Sequence, residues 1–338
     1  YQTKLNALTV YLIDYPEYYD RDGIYRSDNG DYLDNAERYI FFSRAVVELL
    51  PFYPVQPTLL HCNDWQTGLV PLYLNRFKNV NPEYREVKSL FTVHNLAYQG
   101  LFWRFDMHLT GLPWDYFTPE GIEFYGDLNL LKAGLLFSDG INTVSPTYCQ
   151  EIQTPEFGCG LDGVLRSLKP KLSGILNGAD YSLWSPENNA SIAAQFSPSA
   201  MAGKETCKKE LIESLNLKMK LDDPLIAFIS PLVSRKGVDL LEQALPEIGA
   251  LGCQVILQGF GDRNYENIFA ELAERYREFF VFHKNLDQEE TIRILSGSDM
   301  FLKPSRFEPC GLNQIYAMRF GTIPIAHRTG GLDDTISD

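Results

Sequence analysis

Much of what would place this chain in a large enzyme class is missing. Its six cysteines, at 62, 149, 159, 207, 253 and 310, form no Cys-x-x-Cys pair and share no metal spacing with the five histidines. They read as reduced thiols, and neither a structural zinc nor a redox pair is supported. No apolar run reaches the length of a membrane span, and nothing at the start reads as a signal peptide. There is no G-x-x-x-x-G-K-[ST] loop, no complete G-x-G-x-x-G and no serine elbow, so NTP hydrolysis and hydride transfer lack support. Positive charge is scarce: 30 Lys and Arg against 44 Asp and Glu give −14. That balance excludes tracking of a nucleic-acid backbone or an anionic membrane surface, but not a locally basic pocket for a small anion. Asn189-Ala-Ser matches a glycosylation sequon that carries little weight without a secretory context. No internal repeat or low-complexity tract is visible.

What is present is an alternation. With 338 residues, 45% apolar and 22% charged, the chain has material for two globular domains. In the second half, short apolar strands at 225–230, 254–258, 280–283, 300–303 and 323–326 alternate with helical patterns at 237–250, 265–279, 288–296 and 312–320. This predicts an α/β fold with a parallel, doubly wound sheet. The first half repeats the theme less cleanly, with strands at 58–62, 89–93 and 140–145, a helix from about 65 to 77 and another at 128–137. The expected domains are 1–173 and 182–338, joined by a hinge at 174–181 that holds an Asn-Gly turn signal. Residues 182–203 read as surface loop. Tyr1 to Leu12 reads as strand-like sequence from the middle of a domain, and Asp338 follows a Gly-Gly turn where a helix should begin, so both ends suggest a fragment.

The chemistry-bearing residues fall where strands end. Lys303-Pro-Ser-Arg-Phe-Glu-Pro-Cys-Gly-Leu-Asn-Gln joins a strand to a helix. Glu308 there can grip a sugar hydroxyl, and the turn's amides can hold phosphate or sugar oxygens. Ser230-Pro-Leu-Val-Ser-Arg-Lys-Gly sets Lys236, with Arg235 beside it, at a helix start that suits a diphosphate; the plainer reading is a surface basic pair. The turns at Gly259-Phe-Gly-Asp and Thr329-Gly-Gly-Leu are weak phosphate signals. Asp64, in His61-Cys-Asn-Asp-Trp-Gln-Thr-Gly, reads equally as a helix cap and as a sugar ligand. Trp65 reads as packing or as a platform for a sugar ring. His94, followed by Asn95 and Tyr98, ends a strand, which favours a functional histidine over a core one. Two doubly wound sheets would bring these loops around one central cleft. A lysine, an acid and exposed amides fit transfer from a nucleotide-activated group.

Eight stretches together resemble one family. They are Asp34-Asn-Ala-Glu-Arg-Tyr-Ile-Phe-Phe-Ser-Arg, Asn63-Asp-Trp-Gln-Thr-Gly-Leu, Thr92-Val-His-Asn-Leu-Ala-Tyr-Gln-Gly and Asn142-Thr-Val-Ser-Pro-Thr-Tyr, then Gly174-Ile-Leu-Asn-Gly-Ala-Asp, Arg235-Lys-Gly, Pro304-Ser-Arg-Phe-Glu-Pro-Cys-Gly-Leu and Arg328-Thr-Gly-Gly-Leu. In this order they resemble the glycogen and starch synthases, the ADP-glucose-using glycosyltransferases of family 5. The resemblance implies a GT-B fold of two Rossmann-like domains and retaining α-1,4 transfer of glucose from ADP-glucose to the non-reducing end of a glucan. It implies catalytic roles for Lys236 at the donor phosphates, Glu308 at the glucose hydroxyls, His94 beside the transferring glucose and Asp64 near the donor sugar or acceptor. It also implies a substrate-binding set of Asn177, Arg235, Tyr98, Gly311, Leu312, Tyr316, Thr329, Gly330, Gly331 and Leu332. Tyr316 stands eight residues after Glu308, where many other GT-B families carry a second acid. No metal and no cofactor are expected beyond the ADP-glucose donor. The expected partner is a glucan such as glycogen, amylose or a malto-oligosaccharide, and the expected setting is bacterial cytoplasm or plastid stroma.

The departures from the family are specific. Its N-terminal Lys-Thr-Gly-Gly-Leu loop and returning C-terminal helix are not in this sequence. Its Ser-Arg-Leu, whose Arg binds the diphosphate, is here Ser230-Pro231-Leu232. Losing such a charge-assisted contact costs roughly 2–4 kcal/mol in the transition state. Arg235 stands where the family often has Gln. The second His of the family's His-x-His-Asp-Trp is replaced, since the chain reads His61-Cys-Asn-Asp-Trp. Two further readings follow: a non-catalytic glucan- or nucleotide-sugar-binding paralogue, and a GT-B enzyme using UDP-glucose or sucrose chemistry.

Overall fold

A computed structural model describes residues 1–27, 30–215 and 217–337; Asp338, the end of the second expected domain, lies outside them. The chain forms two units, one of residues Tyr1–Val144 and Cys149–Gly174, the other of Ser145–Tyr148 and the chain from Ile175 on.

The first unit holds four parallel strands, β1 (Leu59–Asn63), β2 (Lys88–Val93), β3 (Gly140–Thr143) and β4 (Leu172–Gly174), in the order β4-β3-β2-β1. Helix Asn35–Glu48 has no counterpart in the sequence reading. Its many aromatic and charged residues blur the apolar stripe, yet Tyr39, Ile40, Ser43 and Val47 are buried at helical spacing. The helix expected over 65–77 divides into a short 3₁₀ turn, Trp65–Thr67, and helix Val70–Val80, which has Pro71 in its first turn. The helix expected at 128–137 begins at Leu130, because the Asn129 side chain caps it by accepting the Lys132 amide at 2.8 Å. Tyr1 to Leu12 is an antiparallel hairpin, Gln2–Leu5 paired with Leu8–Tyr11, and most of its side chains are exposed.

The second unit is built on five parallel strands, β5 (Leu225–Ile229), β6 (Gln254–Gln258), β7 (Phe280–His283), β8 (Met300–Lys303) and β9 (Ile323–Ala326), in the order β7-β6-β5-β8-β9. Every β5 residue is buried. Leu225, Ala227 and Ile229 pack into one apolar cluster, and Ile226 and Phe228 into another. A continuous apolar run is what a parallel strand covered on both faces requires. The strand order reverses between β5 and β8, so the loops after these two strands diverge around a crevice at their carboxyl ends. Those loops carry Lys236 and Glu308.

Two helix boundaries differ from the sequence reading for local reasons. Helix Val238–Ala250 starts one residue late because Gly237 is left-handed, with φ +74°. Helix Arg263–Arg275 starts early because the Asp262 side chain accepts the Asn264 amide. Residues 182–203 are more than surface loop: Ser185 and Phe196 are buried, and Trp184 and Ile192 pack against the core cluster that contains Tyr316 and Phe320. All six cysteines are free thiols. Among the described residues no helix is long and apolar enough to cross a membrane.

Candidate active site

In the second unit the site is assembled by clamping the β5 and β8 loops together. A Cβ on Gly237 would lie 2.4 Å from the Pro304 carbonyl oxygen, so only glycine allows this approach at this φ. The Arg306 amide donates to the Arg235 carbonyl at 3.0 Å. The Arg306 guanidinium donates to the Ser234 carbonyl at 2.8 Å and forms a two-point pair with Asp239 at 2.7 and 2.6 Å. The clamp delivers Lys236 Nζ to Glu308 Oε2 at 2.6 Å. Lys303, the last residue of β8, sets a second ammonium 3.1 Å from the same oxygen, and the Ser305 hydroxyl stands 3.3 Å from it.

Glu308 is only 5% exposed. Burial raises its carboxyl pKa, but the charges of Lys303 and Lys236 outweigh burial and hold it below the ordinary glutamate value. Burial moves Lys236 the other way, below the ordinary lysine value; Glu308 opposes this, while Lys303 and Arg235 add to it. Glu308 is therefore ionised at neutral pH, and both of its ammonium contacts fall on one oxygen. Oε1 takes no hydrogen bond among the described residues.

The Gly-Gly turn is fixed to this loop. The Gly331 amide donates to the Glu308 carbonyl at 3.1 Å, and the Leu332 amide to the Thr329 carbonyl at 3.0 Å. Those two amides are thus bonded within the protein in this structure. Leu332 and Thr329 are buried, and Leu312 packs against the core. Gly311, at φ +72°, makes the turn into helix Asn313–Arg319. The Asn177 amide lies on the Cys310 thiol, two residues from Glu308. The Tyr316 ring stacks on Trp184 with centroids 4.1 Å apart and planes within 3°, inside the apolar core. An aromatic at this position extends the core where an acid would need a partner.

The first unit presents a second group. Asp64 follows β1 in a left-handed conformation, φ +55°, a strained state for a residue with a Cβ. It does not cap the following turn. Its carboxylate reaches the next strand's loop instead and accepts the amides of His94, at 2.8 Å, and Asn95. Burial raises its pKa, and those two amides offset part of the rise. The exposed His94 ring has Nε2 2.9 Å from Asn63 Oδ1. Tyr98 is exposed on the same loop. Trp65 packs among Tyr39, Tyr25 and Phe102, with ring centroids 4.7–5.9 Å away, so its role here is packing.

The chain matches the family described as the starch synthase catalytic domain over residues 1–167 and glycosyl transferases group 1 over residues 209–338. A glycogen synthase of Koribacter versatilis is 44% identical over 335 residues, covering 99% of this chain and 69% of the relative. The chain belongs to the glycogen and starch synthase family. A glycogen synthase of Thermodesulfovibrio yellowstonii is 43% identical over 97% of this chain and 66% of its own length. Among solved structures, the catalytic domain of Arabidopsis thaliana starch synthase IV, bound to ADP and acarbose, superposes with a TM-score of 0.86 at 34% identity, covering 94% of this chain and 64% of that one. This places the fold in the GT-B class. The sucrose-phosphate synthase of Thermosynechococcus elongatus, at 20% identity and a TM-score of 0.56, shares the fold alone. The chain spans about two thirds of the length of the synthases it matches.

Within this synthase fold, Lys303 is the site residue that the sequence reading left without a role. Its signal was there: a lysine closing the apolar strand Met300–Lys303 has to be buried and paired. Pro231 fits its place without strain on the ladder. The amides of Ser230 and Leu232 donate to the carbonyls of Gln258 and Phe260 at 3.1 and 3.0 Å, and the alternate position has no bond to make on that side.

Proposed function

We propose that this chain is the glycosyl-transferring part of a synthase that moves glucose from ADP-glucose to the non-reducing end of an α-1,4-glucan, with retention. The observation that carries the reading is the pair of ammonium groups on one oxygen of a buried Glu308 whose other oxygen is open. The cations suit a diphosphate leaving group, on which charge grows as the C1–O bond breaks. The open carboxylate oxygen suits a donated sugar hydroxyl, because an ionised carboxylate only accepts. Both lie at the crevice where doubly wound sheets hold nucleotides. Asp64, by fixing the His94 loop, and His94, through its ring, serve the sugar in this reading. The ADP and acarbose bound by the starch synthase IV domain are a nucleotide and an oligosaccharide mimic of the classes proposed here.

The test is ADP release from ADP-glucose with glycogen as acceptor, using the full-length protein. Turnover is expected with ADP-glucose and not with UDP-glucose, and Glu308→Ala is expected to abolish it. Near-normal turnover by Glu308→Ala would remove the assigned role. Glucan binding without any turnover would point instead to a non-catalytic relative.

A further inference from the structure

Charge at the Glu308 cluster does not balance. Lys236 and Lys303 both point at Glu308 Oε2, and Lys303 is only 8% exposed. The Arg235 charge also reaches Lys236. Against the two ammonium groups that meet at Glu308 Oε2 stands one carboxylate. The nearby Asp334 is engaged elsewhere, by the Ser145 and Thr147 hydroxyls and the Thr147 amide. Asp239 is taken by Arg306. A buried surplus of positive charge is costly unless an anion completes it. A lysine at the end of a strand in a covered sheet is a poor choice for stability, since an apolar residue would pack there without desolvation.

The position of Lys303 says where the surplus points. The β5–β8 register pairs Ile226 with Met300 and Ala227 with Phe301. Ile229 and Lys303 both lie two residues past the second of these pairs, as the final residues of the neighbouring strands, and Pro231 follows in the β5 loop that leads to Lys236. Lys303 therefore stands at the switch point, at the carboxyl end of the strand beside the one whose loop carries Pro231, with its ammonium on Glu308.

We infer that Lys303 is a second binding ammonium for the donor's diphosphate, sharing Glu308 with Lys236 and supplying a charge that Pro231 cannot. This rests on the function proposed above. With ADP-glucose bound, the two lysines would turn part of their hydrogen-bonding capacity from Oε2 to phosphate oxygens. A lysine has three donors, so each can hold both. No bond is made or broken by Lys303 itself.

The experiment measures ADP and adenosine binding by calorimetry, together with kcat and KM for ADP-glucose, in the full-length protein. The variants are Lys303→Met, Lys303→Arg and the double variant Lys303→Met/Pro231→Arg, with folding checked by circular dichroism. Lys303→Met is expected to weaken ADP about 10–100-fold, the scale of one charge-assisted contact, and to leave adenosine unchanged. Lys303→Arg should keep most of the affinity, and Pro231→Arg should restore much of what Lys303→Met loses. Lys303→Gln serves if the Met variant does not fold. Equal weakening of ADP and adenosine, or no rescue by either arginine, would mean a merely structural lysine and overturn the inference. If the unmodified protein binds ADP and Lys303→Met matches it, the role of Lys303 alone fails. If the unmodified protein binds no ADP, the donor reading itself fails, and this inference with it.

Discussion

Replacing Glu308 by Gln separates two effects that one carboxylate combines. The side chain is 5% exposed and holds ammonium groups at 2.6 and 3.1 Å. Removing one partner of a buried ion pair costs about 3–5 kcal/mol, because the remaining charge is stranded. Burial already lowers the Lys236 pKa, so this group can shed its proton, which puts the expected loss near the lower end, about 3 kcal/mol. For a unit of this size that corresponds to a melting temperature lower by roughly 6–12 °C. The sign of the pH effect follows from linkage. In Glu308→Gln the folded pKa of Lys236, already lowered by burial, is pushed further below its unfolded value. The unfolded chain then binds more protons in that window, and stability recovers as pH rises through it. The effect on ADP runs the other way. An anion meets the same cations without a competing carboxylate, so ADP should bind at least as tightly as before. Saturation at 100 times Kd returns about 2.7 kcal/mol. Glucosyl transfer should nonetheless fall by roughly 100-fold or more, since the charged acceptor for the sugar hydroxyl is gone. Differential scanning fluorimetry with and without ADP, calorimetry and an ADP-release assay measure the three quantities. A melting temperature unchanged by the substitution, or ADP affinity lost in step with turnover, would refute the reasoning.

Other outcomes follow from the same geometry. Gly237→Ala places a methyl 2.4 Å from the Pro304 carbonyl at φ +74°; about 2–4 kcal/mol of stability should be lost, with KM for ADP-glucose raised as Lys236 shifts. Tyr316→Phe keeps the Trp184 stack and should change stability by less than about 1 kcal/mol and turnover little, whereas Tyr316→Ala should cost about 3–5 kcal/mol, read by urea denaturation. Asp64 has a folded pKa raised by burial, so its contribution is fully present below the ordinary Asp value and lost as pH rises through the folded one. Asp64→Asn should flatten stability against pH in that window. It should also change neutral-pH stability by no more than about 1 kcal/mol, because the amide oxygen still accepts the His94 amide; a larger loss would mean that the charge itself holds the loop.

The local pattern of residues was enough to give the class of fold and the loops that matter. The fully apolar Leu225–Ile229 and the apolar centre of Gln254–Gln258 declare buried parallel strands because both faces must be covered. Glu308, Lys236, Asp64 and His94 stood out because each follows such a strand. What a side chain meets across the fold was not legible. Lys303 looked like the polar end of a strand until the β8 loop folded Glu308 back onto it. Asp64 read equally as a cap and as a sugar ligand, and only its left-handed backbone shows the carboxylate turned to the His94 amide. Tyr316, placed in the substrate-binding set by the resemblance, stacks on Trp184, which arrives from a segment without regular structure. The Gly330-Gly331 turn was a weak phosphate signal, and that the Gly331 amide meets the Glu308 carbonyl could not be read from it. Sequence determines periodicity, and periodicity determines strands, helices and the loops at their ends. Which charges share one oxygen, and which amides remain open, depends on contacts between residues tens of positions apart, such as Lys236 and Glu308. Only the closed tertiary structure sets those distances.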